Sequence, residues 1–108
     1  MALYRAFVQQ SAITSFPNTS AVTEPAIAIT TSIVLANRPA GNRRGFSIEN
    51  DGAFPIVIAY GATVTAAARS IRLEVGDYFE DNFNWQGAIS AMSIGGAGTA
   101  NVTEFTIV

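Results

Sequence analysis

Apolar positions recur at every second residue through most of the chain, the repeat of strands with one face turned inward. From Ile27, the residues Ile27, Ile29, Thr31, Ile33 and Leu35 fall on one side, and Ala28, Thr30, Ser32, Val34 and Ala36 on the other. The pattern predicts one long strand, and its β-branched content disfavours a helix. Asn37 to Asn42, with Pro39 and Gly41, reads as a turn. Phe46 and Ile48 then alternate with Ser47 and Glu49. Asn50-Asp51-Gly52 predicts a tight hairpin, since Asp and Gly accept positive φ. The return strand carries Phe54, Ile56, Ile58 and Tyr60 and ends at Gly61.

Further on, Ile71, Leu73 and Val75 alternate with Ser70, Arg72 and Glu74, and Gly76-Asp77 turns the chain. Two more strands are expected at Ala88 to Ile94 and Thr99 to Ile107, joined by the glycine-rich Gly95 to Gly98. Only Ala62 to Arg69 tempts a helix, and Thr63, Val64 and Thr65 limit it to a turn or two. Short strands with a turn signal every eight to twelve residues predict an all-β fold. The expected architecture is a single compact antiparallel β-sandwich, jelly-roll-like. Residues 1–22, with Pro17, Asn18 and a run of Ser and Thr, are expected to form an N-terminal arm or edge segment, and residues 23–108 the sandwich domain.

The 108 residues suffice for one hydrophobic core without staples. Cysteine is absent, which removes disulfides and thiolate metal sites; histidine is absent, which removes the usual general base and the commonest metal ligand. There is no lysine, so the six cations are Arg5, Arg38, Arg43, Arg44, Arg69 and Arg72. A net charge of −2 argues against a nucleic-acid partner. The N-terminus lacks the pattern of a secretion signal, and the uncharged run Ala26 to Asn37 is too short to span a bilayer, so no membrane partner is expected. What most changes the picture is a charged fraction of 13%, about half the ordinary share. A surface so poor in ions is weakly solvated, and such surfaces mark interfaces.

Candidate chemistry is sparse. Glu74, Asp77, Glu80 and Asp81 could split acid and base roles or hold Ca²⁺, but their spacing fits no calcium loop and reads as turn and surface carboxylates. Tyr78, Phe79, Phe83 and Trp85 could stack on a sugar ring, or serve as core and interface anchors. No lysine follows Gly95-Gly96-Ala97-Gly98, so it is no phosphate cradle. Neither catalytic residues nor a cofactor or metal is expected, and the chain reads as no enzyme. Asn42-Arg43-Arg44 is too small for a nucleic-acid footprint. Its expected role is structural, one guanidinium tying the turn to a neighbouring strand or subunit.

The strings VLANRPAGNRRGFSIENDGAFPIVIAYG, SIRLEVGDYFED and WQGAISAMSIGGAGTANVTEF resemble a small β-module that recurs in virion proteins of tailed bacteriophages. The matching features are Asn-Arg-Arg-Gly opening the strand Asn42 to Asn50, Gly61, the turn Gly76 to Glu80, Gly87 to Ser90, and Val102 to Phe105. The likeness covers about residues 33–105; the connector Arg38-Pro39-Ala40-Gly41 is longer than the usual form.

It implies a non-enzymatic virion structural protein. In a chain of this length it points to a capsid decoration (cement) protein that binds the major capsid protein and stabilises the head. A neck, tail, baseplate or fibre component, recognising host glycans through Tyr78, Phe83 and Trp85, is the alternative. The implied partners are copies of itself, expected as a homotrimer, and other virion proteins. The implied location is the phage head surface, after assembly in the host cytoplasm. Arg43, Arg44, Phe83, Trp85, Tyr4 and Phe7 are the expected interface residues, with Ala2 to Phe16 as a strap.

Overall fold

A computed structural model describes residues 18–107. Nine strands follow in chain order: β1 (Asn18–Thr23), β2 (Ala26–Ile27), β3 (Ser32–Leu35), β4 (Arg43–Asn50), β5 (Ile56–Tyr60), β6 (Ile71–Leu73), β7 (Tyr78–Asp81), β8 (Ile89–Ser93) and β9 (Gly98–Ile107). All pairings are antiparallel, and no helix occurs among the described residues. One sheet runs β1-β9-β4-β7, with β2 also on β9; the other runs β3-β8-β5-β6. The fold is an all-β sandwich.

Twelve buried side chains fill the space between the sheets. Phe46 and Ile48 of β4, Ala100 and Val102 of β9, Ile56 and Ile58 of β5 and Ile89 of β8 are its centre. Fully burying each large apolar side chain contributes roughly 1.5–3 kcal/mol. The alternation of β4 explains its side of the core, with Phe46 and Ile48 inward and Ser47 and Glu49 outward. β5 is buried on both faces, because Val57 and Ala59 form a second cluster with Val64, Met92 and Ile94 on the outside of the second sheet. Val64 lies in the segment that sequence gave a helical turn or two. That segment instead crosses β5 as a loop, pinned where Val64 N donates to Thr31 Oγ1 (3.2 Å) and Thr31 Oγ1 to Val64 O (3.0 Å). The Thr65 hydroxyl accepts from Ala68 N at 2.8 Å, a local turn that competes with helix.

Two further expectations change. The long strand from Ile27 to Ala36 is two strands in different sheets: β2 pairs with β9 and β3 with β8. The chain crosses between layers at residues 28–31, and a bulge between Ile33 and Leu35 shifts the pleat, so Ile29 and Ile33 are exposed while Val34 and Leu35 are buried. Asn50-Asp51-Gly52 closes no hairpin; it carries the chain from β4 in one sheet to β5 in the other. There Asn50 Nδ2 donates to Phe54 O (2.9 Å) and Leu73 O (3.0 Å), while its Oδ1 accepts from Gly52 N (3.1 Å). Gly52 is needed for closeness rather than for positive φ, since a Cβ there would stand 2.7 Å from Thr99 N. Gly95 to Gly98 likewise joins strands of opposite sheets.

At the N-terminal side, the boundary expected between Val22 and Thr23 falls inside β1, which pairs with β9 over all six of its residues. Tyr4 and Phe7, and nearly all of the expected arm, lie outside the described residues.

Candidate functional site

The segment Asn42 to Gly45 opens β4 at one end of the sandwich, and its two arginines part company there. Arg43 is 1% exposed. Its Nε donates to Glu104 Oε2 at 2.8 Å, Nη1 to Trp85 O at 3.0 Å and Gly87 O at 2.6 Å, and Nη2 to Ala36 O at 2.5 Å. Four of the five guanidinium donors are thus used, three of them on carbonyls of two loops. Gln86 completes the knot: its Oε1 accepts from Arg43 N (2.9 Å), and its Nε2 donates to Arg43 O (2.7 Å) and Asn84 O (2.7 Å).

Glu104, inward-facing on β9, is the common acceptor. Arg38 grips it in a bidentate pair, Nη2 to Oε1 at 2.6 Å and Nε to Oε2 at 2.9 Å. The hydrogen bonds from Arg38, and then those from Arg43, outweigh burial and hold the Glu104 carboxyl below the usual carboxylate range. Buried ions survive only when paired and hydrogen-bonded in this way. The knot joins β4, β9, the β3–β4 connector and the β7–β8 loop. Arg43 is therefore the clamp of a turn within one chain, tying it to neighbouring segments as expected of one of the two guanidinium groups.

Arg44 points outward and makes no ion pair or hydrogen bond among the described residues. It lines a shallow groove of about 350 Å³ with Gly45, Glu80, Asp81, Asn82, Asn84 and Phe105. The floor is backbone, because at Gly45 strands β4 and β7 come so close that a Cβ would meet Asp81 O at 2.5 Å. This explains the glycine that follows the arginines.

The acidic cluster does not converge. Glu74 pairs with Arg72 at 2.5 Å, and Asp77 caps its own turn by accepting from Glu74 N at 2.9 Å. Glu80 faces out and Asp81, its neighbour in β7, faces in. Asp81 is buried; Oδ1 accepts from Phe83 N at 2.9 Å, while Oδ2 has no hydrogen-bond partner. Burial, and then the Asp81 carboxylate, push the Tyr60 phenol up to about 12. No group of three His, Cys, Asp or Glu among the described residues could hold a metal ion.

The aromatic candidates also separate. Trp85 is folded back, edge-on to Tyr60 with centroids 5.5 Å apart, its Nε1 donating to Ala88 O at 3.0 Å. Gly87 makes room for it, since a Cβ there would stand 2.7 Å from the indole. Phe83, two residues earlier on the same loop, is 81% exposed. Tyr78 is exposed on the outer face of the first sheet, and none of Tyr78, Phe83 and Trp85 lines the groove. Residues that sequence reasoning passed over, Arg38, Gln86 and Glu104, hold the end of the sandwich together. The one signal for them was a lone acid, Glu104, inside an otherwise uncharged strand.

No protein-family model and no curated protein matches the chain. Among solved structures, it is similar to one from work on Bacillus endospore appendages, which form a novel family of disulfide-linked pili. The TM-score is 0.58 at 15% identity, over 86% of this chain and 88% of that one. At that identity the likeness is one of fold.

Proposed function

We propose that this chain is a non-enzymatic structural subunit, which works by adhering to copies of itself and to neighbouring proteins of a larger particle. More particularly, it is a virion structural protein of a tailed phage, a decoration protein seated on the major capsid protein at the head surface after assembly in the host cytoplasm. The observation that carries the class is the surface. Val22, Tyr78, Phe83 and Phe105 stand exposed on one sheet and its adjoining loop, while three of the few ions, Arg38, Arg43 and Glu104, are spent on one internal knot.

The strand order supports a jelly roll. With β1 and β2 taken as one interrupted strand, each sheet has four strands, and every connection from β2 onward changes sheet except that between β5 and β6. The fold is similar to that of a chain from work on endospore appendages that form disulfide-linked pili, which supports an assembling role. This chain has no cysteine, so its assembly rests on noncovalent contacts alone.

The decisive measurement is mass and copy number. The purified chain is expected to form an oligomer at micromolar concentration and to be present in many copies per particle. Only a handful of copies per particle would reassign it to neck, tail or fibre. A species that stays single at millimolar concentration and joins no particle overturns the class.

A further inference from the structure

Sheet edges decide where one sandwich can join another, because each leaves a row of backbone N–H and C=O groups without partners. Among the described strands, β1 and β7 bound the first sheet, and β3 and β6 the second. Three of these edges are short and guarded. β7 has four residues and includes Glu80 and Asp81; β6 has three, with its arginine held by Glu74; β3 has four and is broken by its bulge. β1 has six, Asn-Thr-Ser-Ala-Val-Thr, with no charge, proline, glycine or bulge. It has none of the devices that keep edges apart.

Both faces of β1 are also open. Ser20 and Val22 share the outer face with Phe105 and Thr103, and Val22 is 65% exposed. Thr19, Ala21 and Thr23 turn toward the side of the second sheet, yet they too are exposed. The second sheet stops short of β1, so another strand can lie beside it without meeting that layer.

We infer that β1 docks a second copy of this chain, β1 against β1 in antiparallel pairing about a two-fold axis at Ala21. This rests on the structural-subunit reading above. Length selects the partner, since only another β1 offers a matching six-residue edge, and an uncharged strand meets no repulsion from itself. The pleat selects the register. Outward residues must face outward ones, so the axis falls on a residue and not between two. Pro17 and Pro25 each stand four residues from Ala21, so the Ala21 register alone pairs the whole proline-free stretch 18–24 with itself. Ser20 then faces Val22, and Thr19 faces Thr23, a favourable cross-strand pair. Such a contact is isologous. It makes a pair of chains, in place of the trimer expected from sequence.

Charge reversal at the axis tests this. Ala21→Glu sets like charges directly opposite each other across the axis. Since Ala21 also stands opposite Glu104 in the β1–β9 register, the urea midpoint of each variant is measured beside its mass, and Ala21→Lys, which meets no like charge on β9, separates loss of pairing from loss of fold. The wild type is expected to sediment as two chains, Ala21→Glu and Ala21→Lys each as one, and an equal mixture of the two variants as two again. Because the chain has no cysteine, Ala21→Cys should also form a covalent pair on oxidation. Thr19→Cys should do so only when mixed with Thr23→Cys.

If Ala21→Glu stays associated, β1 is not the contact, and the subunit reading stands. If the variants separate but their mixture does not re-pair and Ala21→Cys does not cross-link, the edge is taken by residues 1–17 or by a different edge of a neighbour, and the two-fold is overturned. A wild type that never associates at any concentration and joins no particle removes the subunit reading as well.

Discussion

Replacing Arg43 by lysine keeps the charge and removes the planar fork. The guanidinium reaches one carboxylate oxygen and three carbonyls through its three nitrogens, at 2.5–3.0 Å. An ammonium group gathers its three donors on one atom, so a lysine that stays with Glu104 leaves at least one of the carbonyls of Ala36, Trp85 and Gly87 without a donor. Each buried acceptor left unmet costs about 1–3 kcal/mol, so the change costs at least about 1–3 kcal/mol. For a domain of this size that lowers Tm by roughly 5–15 °C.

The assay is built into the knot, because the single tryptophan, Trp85, supplies one of the carbonyls. Urea unfolding followed by its fluorescence, at fixed protein concentration because association adds apparent stability, reads the loss directly. Arg44→Lys is the matched control. Its guanidinium has no partner among the described residues, so it should stay within about 0.5 kcal/mol of wild type. Arg43→Lys unfolding within that same margin would refute the reasoning that the first arginine is a clamp.

The remaining expectations concern pH, packing and the edge. Glu104 is held below its unfolded value by Arg38 first and then Arg43. The stability it contributes is complete above the ordinary glutamate value of about 4.3 and is lost as pH falls through the depressed folded value. Glu104→Gln should flatten that acid limb of the urea midpoint while lowering stability at neutral pH by about 3–5 kcal/mol, because it strands Arg43. Tyr60 is raised to about 12, so its contribution is full below pH 10 and declines as pH rises toward 12. Ultraviolet titration of the phenols should show a last step near 12 that Tyr60→Phe removes. Gly45→Ala drives a methyl against Asp81 O, which must part β4 from β7, and should cost about 1–3 kcal/mol in the same urea assay. The charge-swap pair at Ala21 should restore in mixture the association that each variant loses alone, as read by sedimentation.

How much of this was legible follows from what alternation encodes. A period of two marks which face of a strand is buried, and β4 and β5 were found near their true bounds because their buried positions include Phe46, Ile48, Ile56 and Ile58. β8 and β9 bury mostly smaller residues, and the glycines between them marked their bounds. It does not mark the partner strand. Asn50-Asp51-Gly52 and Gly95 to Gly98 carry the composition of hairpin turns, yet both pass between sheets, where Gly52 lies against the backbone of Thr99 and Gly96 against the ring of Phe54. The run from Ile27 to Ala36 alternates in its letters, yet residues 28–31 cross between the sheets outside any strand and Ile29 and Ile33 stand exposed; the adjacent Val34 and Leu35, both buried at the bulge, mark the break. Arg43 and Arg44 are indistinguishable as letters. The irregularity between Arg43 and Gly45 turns one inward to Glu104 and leaves the other in water.

The buried knot also sharpens the case for assembly. Composition alone gives 14 ionisable residues of the charged types in 108. Arg43 and Glu104 neutralise each other inside the molecule, Arg38 is committed to the same carboxylate, Asp81 is buried, and Arg72 and Glu74 satisfy each other. Among the described residues the outer surface is therefore poorer in free ions than the sequence suggests, and β1 is the edge among the described strands that carries neither charge, proline, glycine nor bulge. An isolated sandwich gains from charge on its edges, since charge keeps it from pairing with its own kind. Here ions hold one end of the fold rigid while β1, the longest edge among the described strands, carries none. That arrangement favours a molecule whose edge is covered by its own kind.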